Sequence, residues 1–344
     1  MRIADRSTAR NYLKYLNQAK ADLAETNERI ASGKKFEKMS DDVAAGTRAM
    51  RTRAEKVKAE TQYGNVKAIN EELTVAETAM SAINDAIKLV YGERLNAAMS
   101  EEKGESGRLA IANEIKAVRQ QILQLANTKH SARYVFGGTN AGTEEPFSLN
   151  EQGRLLYNGI AVDDIRQRAD GTFFYENGGA ETEIPMDEDV FIDIGLGIRM
   201  NGARVDPDTA FKVSYSGLSI LGFGKKENDP QGQPNNILNV LTDIEANIRN
   251  FNLTALNSYH TQLGALTDKF RANLTDIGAK TSFLEGTETR LKDMIDHSQK
   301  KISGLMGVDD AEESIKQGMN EYVLKAVIQM GARLLPVSLM DFLK

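Results

Sequence analysis

From Val66 onward the apolar positions fall at Val66, Ile69, Leu73, Ala76, Met80, Ile83, Ile87 and Val90, in alternating steps of three and four residues. That spacing keeps the apolar side chains on one narrow stripe of a helix and predicts a heptad seam facing a partner helix. The alternation resumes in Ile111, Ile115, Val118, Ile122 and Leu125, after a break expected in the Gly-containing stretch Lys103 to Gly107. Toward the other end, Ile237, Leu241, Ile244, Ile248 and Phe251 form another seam. Leu263, Leu266, Phe270, Ile277, Leu284, Leu291, Met294 and Leu305 then hold one frame, interrupted by the polar Asn273, Lys280, Thr287, Ser298 and Lys301. If Asn257 to Gly304 is one helix, a rise of 1.5 Å per residue makes it about 70 Å long. No compact domain encloses such a rod by itself. It is therefore expected to lie against the N-terminal helices, which puts the two ends of the sequence side by side.

The prolines divide the chain. Pro146, Pro185, Pro207, Pro230, Pro234 and Pro336 leave residues 1–145 and 235–335 free of them, which permits long helices there, because proline removes a helical donor and clashes with the preceding turn. Between the arms, Phe147 to Gly224 is rich in Gly and carries short alternating runs, Gly171-Thr-Phe-Phe-Tyr175 and Asp189-Val-Phe-Ile-Asp-Ile194. These read as strands, with Asn158-Gly159 and Asn177-Gly178 as turns that tolerate positive φ. Lys225 to Pro234 reads as the loop back to helix. The expected fold class is mainly α with an inserted β-rich domain, the N- and C-terminal arms forming an elongated antiparallel coiled-coil rod. Its expected parts are terminal segments 1–45 and 305–344, a helical rod 46–146 and 235–304, and a β-rich domain 147–234.

The extreme ends differ from each other. Tyr12, Leu16, Ala19, Leu23 and Ile30 share one face with Thr26, on a helix expected to stop at Ser32-Gly33. The C-terminal stretch is apolar nearly all round, from Tyr322, Val323 and Leu324 through Val327, Met330 and Leu334 to Leu339, Phe342 and Leu343. Such a helix must be covered on every side, and the narrow N-terminal stripe cannot do this within one molecule. An exposed apolar surface marks an interaction site. The candidate assembly residues are Tyr12, Leu16, Leu23, Ile30, Ile315, Met319, Tyr322, Val323, Val327, Met330, Leu334, Leu339 and Phe342; the bland alternative is an ordinary intramolecular core.

Composition narrows the chemistry. Charged residues make up 27% of the 344 and aromatics 6%, with no Trp, closer to long-helix usage than to a globular enzyme. A formal net charge of -6 gives no electrostatic reason to expect nucleic acid. The absence of Cys excludes disulfides, thiolate metal sites and a Cys nucleophile. No stretch has the length of a secretory signal or a membrane span, which alone points to the cytoplasm and also permits export by a route that reads no cleavable signal. His130, His260 and His297 are scattered without companion ligands, so no metal and no cofactor is expected. Gly195-Leu-Gly197 and Gly222-Phe-Gly224-Lys225-Lys226 lack the phosphate-loop spacings and read as turns. Arg48, Arg51, Arg53, Lys56 and Lys58 are interspersed with Glu55 and Glu60, a solvated helix with local ion pairs. Ser40 is a plausible helix N-cap, with Asp41 and Asp42 favourable at the positive helix end. No convergent acid, base and nucleophile can be assembled, so no catalytic residue is expected.

Ile30-Ala-Ser-Gly-Lys-Lys35 followed by Ser40-Asp-Asp42 resembles the N-terminal signature of the flagellin superfamily, where a first helix ends and a second begins; Val43 stands where that family usually carries Pro. Asn113-Glu-Ile-Lys116, Leu125-Ala-Asn-Thr-Lys129 and above all Tyr134-Val-Phe-Gly-Gly-Thr-Asn140, with Pro146-Phe147 and Tyr157-Asn-Gly159, are similar to the branch that joins hook to filament. Ala210-Phe to Ser216-Gly-Leu218 is similar to it more loosely. Pro336-Val-Ser-Leu-Met340 resembles the C-terminal signature of the superfamily. The resemblance implies a structural flagellar protein at the hook-filament junction, extracellular, exported unfolded by the type III route without a cleaved signal. Implied partners are the first hook-associated protein, flagellin and further copies of the chain, with an export chaperone on the C-terminal segment. It also implies terminal segments that order into an inner coiled-coil tube on assembly, with the β domain outward. Filament flagellin itself, a cytoplasmic coiled-coil scaffold and an enzyme with a site in the β domain are the alternatives.

Overall fold

A computed structural model of the chain describes residues 2–36, 38–100, 104–138, 145–168, 171–184, 191–194, 199–201, 204–206, 211–212, 216–226 and 232–334, with side chains except at 2–6, 201, 204, 205, 212 and 334. Eight helices are described: α1 Arg2–Ser32, α2 Val43–Lys88, α3 Leu95–Met99, α4 Glu105–Ala126, α5 Gly217–Leu221, α6 Ile237–Arg249, α7 Leu253–Met306 and α8 Asp310–Leu334. Short strands lie between α4 and α6: β1 Lys129–His130, β2 Arg133–Tyr134, β3 Phe147–Leu149, β4 Leu155–Tyr157, β5 Ile160–Ala161, β6 Ile165–Gln167, β7 Phe173–Asn177 and β8 Ala180–Glu183. They continue with β9 Phe191–Ile192, β10 Met200–Asn201, β11 Arg204–Val205, β12 Phe211–Lys212, β13 Gly222–Lys225 and β14 Pro234–Asn236. The chain is mainly helical with a β-rich insertion. It divides into two compact units, residues 1–60 with 292–344, and residues 61–291.

In the first unit α1 runs antiparallel to α8. Gly33 ends α1 in the left-handed region, φ 65°, as a C-terminal glycine does. The chain is pinned there to the α7–α8 junction: Lys35 N–H donates to the Met306 carbonyl at 2.8 Å and Val308 N–H to the Gly33 carbonyl at 3.1 Å. Asp309 Oδ1 caps α8 by accepting from Ala311 N–H at 3.0 Å. At the start of α2 the cap is Asp42, whose Oδ1 accepts from Ala45 N–H at 2.9 Å; Ser40, the expected cap, instead donates to Asp41. Within this unit α2 covers small side chains, Ala49, Thr52 and Ala59, and α7 covers Ser298 and Ile302.

The second unit holds the main core. Ala76, Met80, Ile83, Ile87 and Val90 of the first seam are buried with Ile111, Ile115 and Ile122 of α4, Leu238, Leu241 and Ile244 of α6, and Leu263, Phe270 and Ile277 of α7. After Val90 the next buried apolar residue of the seam is Leu95, five positions on. Residues Leu89–Arg94 form a π turn there, with Leu95 N–H bonded to the Val90 carbonyl; the wider turn absorbs the extra residue and keeps Leu95 facing the core. Gly104 is the N-cap of α4, which begins at Glu105 with Gly107 inside it, so the break ends earlier than the sequence pattern predicts. Met294 also departs from its expected frame and is exposed. A strict heptad falls behind a helix of 3.6 residues per turn by about 20° per repeat, and by this point the seam has moved one residue on, to Ile295, Ser298 and Ile302.

The β-rich part is built from two antiparallel three-stranded sheets, β3-β4-β5 and β6-β7-β8, and two-stranded pairs. Asn158 and Gly159, φ 49° and 82°, form the β4–β5 turn. In the β7–β8 hairpin Asn177 pairs with Ala180, so Gly178 and Gly179 make that turn. Of Asp189 to Ile194, residues 191–194 are described and β9 is the strand they form; 189 and 190 lie outside the described residues. The Tyr134-Val-Phe-Gly motif serves packing: Tyr134, Val135 and Phe136 are buried, Gly138 takes φ 64°, and Gly217 N–H donates to the Phe136 carbonyl at 3.1 Å.

Candidate assembly surface

The contact between α1 and α8 is not the one apolar spacing implies. On α1 the covered or half-covered positions are Tyr12, Leu16, Ala19, Leu23, Thr26 and Ile30, the stripe seen in the sequence. On α8 they are Glu313, Gln317, Asn320, Leu324, Val327 and Gly331, also in steps of three and four. Half of that seam is polar. Asn320 Nδ2 donates to Thr26 Oγ1 at 2.8 Å and to the Asp22 carbonyl at 3.2 Å. Gln317 Nε2 donates to Asn27 Oδ1 at 2.8 Å. Glu313 is buried against Arg29 at 3.5 Å and Lys316 at 3.4 Å, and hydrogen bonds to Glu312 and then Glu313 hold the exposed Lys316 ammonium above its ordinary pKa. At the other end Gly331 meets the Tyr12 ring so closely that a Cβ has no room.

A seam of this kind fixes register, because each buried donor and acceptor is matched in only one alignment. It leaves the apolar residues of α8 outside. Ile315, Met319 and Tyr322 are 67%, 64% and 74% exposed, and Val323, Ile328 and Met330 are also exposed. Leu13 and Tyr15 are exposed on α1. Where the two helices meet, Thr8, Tyr12, Tyr15, Ala19, Val323, Val327 and Met330 line a largely apolar groove of about 400 Å³.

The residues singled out by sequence therefore fall into two sets. Tyr12, Leu16, Leu23, Ile30 and Val327 lie along the seam between α1 and α8, with Tyr12 and Val327 also lining the groove. Ile315, Met319, Tyr322, Val323 and Met330 face outward. Leu334 closes α8 with its side chain undescribed; Leu339, Phe342 and Pro336-Val-Ser-Leu-Met340 lie outside the described residues. Sequence reasoning missed Leu13 and Tyr15, which sit off the first stripe, and the hydrogen-bonded seam, whose only signal is the spacing of Glu313, Gln317 and Asn320.

In the second unit several ionisable groups are paired with one another. A cleft of about 840 Å³ in the second unit is lined by Asp164, Arg166, Glu176, Lys225 and Lys269 among others, with Arg166 on Glu176 at 3.1 Å and Lys225 facing Asp164 at 3.9 Å. Asp243 accepts from Arg154 at 2.7 Å; burial raises its pKa, against the opposing pull of Arg154. Arg119, Glu245 and Arg249 form a chain of ion pairs between α4 and α6 at 3.3 and 3.0 Å. Among the described residues no group of three His, Asp or Glu side chains is placed to hold a metal ion, and no helix is long and apolar enough to cross a membrane. What the first unit offers is exposed apolar area, on a helix pair whose own contact is half polar on the α8 side.

Known proteins share this arrangement of helices. The bacterial flagellin N-terminal helical region matches residues 3–141, which takes in α1, α2 and α4. The chain is 27% identical over 179 residues to flagellar hook-associated protein 3 of Escherichia coli strain K12, an alignment covering 50% of this chain and 53% of that protein, about half of each. A flagellar hook-associated protein of Vibrio parahaemolyticus shares the fold, with a TM-score of 0.54 at 14% identity over 78% of this chain and all of the other. FlgL of Bacillus cereus aligns over 74% of this chain and 99% of its own at 17% identity, TM-score 0.47.

Proposed function

We propose that this chain is a member of the flagellin superfamily and a structural component of the bacterial flagellum, placed at the junction where the hook is adapted to the flagellin filament. The single observation that carries the reading is the inside-out helix pair: α1 and α8 spend polar groups on each other and leave Ile315, Met319, Tyr322 and Met330 for a neighbour. Similarity to flagellar hook-associated protein 3 favours the junction over the filament. Its work is packing rather than catalysis: neighbours in the flagellar axis, among them hook-associated protein, flagellin and further copies, cover the apolar faces of the terminal segments 1–45 and 305–344. The rod 46–146 with 235–304 carries the β-rich domain 147–234. The chain works outside the cell, on the flagellum, and before export a carrier covers the same C-terminal surface.

Deleting the gene in its host tests this. The expected result is cells with hooks but no filaments, and flagellin monomers lost to the medium, seen by electron microscopy and immunoblot. Normal filaments would overturn the junction role, and the disappearance of the filament subunit itself would make the chain a flagellin.

A further inference from the structure

The first unit has a second uncovered face, on α2. Opposite the side that carries Ala49, Thr52 and Ala59, the positions Val43, Thr47, Met50, Ala54 and Val57 follow one another in steps of four and three residues, and all are exposed. Val43, Met50 and Val57 are 64%, 54% and 59% accessible. This is a complete heptad stripe, apolar or small at every position, on a helix whose other side is already covered. Its rim is cationic. Helical geometry sets Arg51 and Lys58 along one edge and Arg53 along the other. Among the described residues Arg51 and Lys58 form no ion pair, and Arg53 reaches the Met306 sulfur, at 3.3 Å. Of the carboxylates flanking the stripe, Glu60 is engaged by Lys56 at 3.4 Å, and Glu55 stands one turn from Arg51 and Lys58 without an ion pair to either among the described residues. The interspersed charges that the sequence pattern reads as self-paired are thus largely unpaired, in a chain whose net charge is -6.

We propose that this face of α2 is a docking surface for an acidic amphipathic helix of a different protein, one whose apolar heptad stripe is edged by Asp and Glu. Complementary charge selects the occupant. Two copies of α2 laid stripe to stripe would bring Arg51, Arg53 and Lys58 of one copy against those of the other. The outward face of α8 is no better suited, since Glu312 is held by Lys316 and Glu321 lies 3.8 Å from Lys325. A helix carrying free carboxylates at the flanking positions neutralises the rim while burying Val43, Met50 and Val57. This surface is separate from the outward face of α8, so either can fail without the other.

The test places a photoreactive benzoyl-phenylalanine at Met50 of the full chain in its host and identifies the crosslinked peptide by mass spectrometry. The expected product joins Met50 to a helix of another protein with an apolar heptad and an excess of flanking carboxylates. In an Arg51→Glu, Lys58→Glu background the yield is expected to fall by about fivefold to tenfold, the worth of two surface ion pairs, with unchanged far-ultraviolet circular dichroism. Crosslinks to a second copy, revealed by mixing isotopically light and heavy chains, would overturn the proposal. So would a partner peptide without carboxylate excess, the absence of any crosslink, or indifference to the charge reversal. Motility of the Met50→Asp variant separates the two surfaces: a defect confined to this variant implicates α2, and one shared with Tyr322→Asp implicates assembly through α8.

Discussion

At Gly217 the first turn of α5 passes within reach of the Phe147 ring and 2.9 Å, measured from an added Cβ, of the Phe136 carbonyl oxygen. The backbone there is ordinary helix, so the demand is for space, and Gly217→Ala is expected to cost about 1–3 kcal/mol of stability through overpacking, read as a lowered urea midpoint. Asp243 gives a prediction with a sign. Its folded-state pKa lies above the ordinary 3.8 because burial outweighs the help of Arg154, so the folded chain binds the proton more tightly than the unfolded one. The contribution of Asp243 to stability therefore declines as pH rises through the window that opens at that ordinary value. Asp243→Asn removes the titration: relative to wild type, the variant should gain stability as pH rises across that window, in denaturation series at stepped pH. Neither effect was legible from sequence. Gly217 reads as one glycine among 28, and Asp243 meets Arg154, 89 residues away, only in the folded chain.

Between elements, the heptad spacing of α2, α4, α6 and α7 located the helices because their seams are filled with Leu, Ile, Val and Met, which the core of the second unit then buries. On α8 the apolar spacing has a different meaning. There the apolar spacing of Ile315, Met319 and Tyr322 marks the outward side, and the covered side is written in Glu313, Gln317 and Asn320. Polar residues in a seam trade stability for register. Replacing the buried pair with apolar residues, Thr26→Val with Asn320→Leu, should stabilise the α1–α8 contact by about 1–2 kcal/mol, visible as a higher midpoint of the helical signal at 222 nm. The gain should come with lower fidelity of pairing: a disulfide placed between matched seam positions should form less selectively against one offset by a turn. The π turn at Leu89–Arg94 was likewise beyond a reading of period, since the five-residue step from Val90 to Leu95 looks like the end of a helix rather than a widened turn within a continuous run.

For the whole molecule, the sequence placed the two ends together by an argument from length, and the antiparallel pairing of α1 and α8 shows them together. The β insertion was legible as strands and turns, but not as a topology, because two- and three-residue strands carry too few alternating positions to specify partners. This division of labour predicts what truncation does. Removing Tyr322 to Lys344 deletes Leu324, Val327 and Gly331 opposite the first half of α1, together with Met330 and the outward Tyr322 and Val323, while Glu313, Gln317 and Asn320 keep their partners. The apolar core of residues 76–277 contains none of the deleted side chains. The shortened chain should therefore keep its core transition, with a urea midpoint for tyrosine fluorescence close to that of the full chain, lose only the helical signal contributed by the deleted turns and the freed start of α1, and no longer assemble. Circular dichroism, tyrosine fluorescence and electron microscopy of flagella from the truncated strain check each part. A single cooperative collapse of the whole chain at a lower midpoint would mean that the terminal helices belong to the common core, and the case for an assembly surface held in reserve would fall with it.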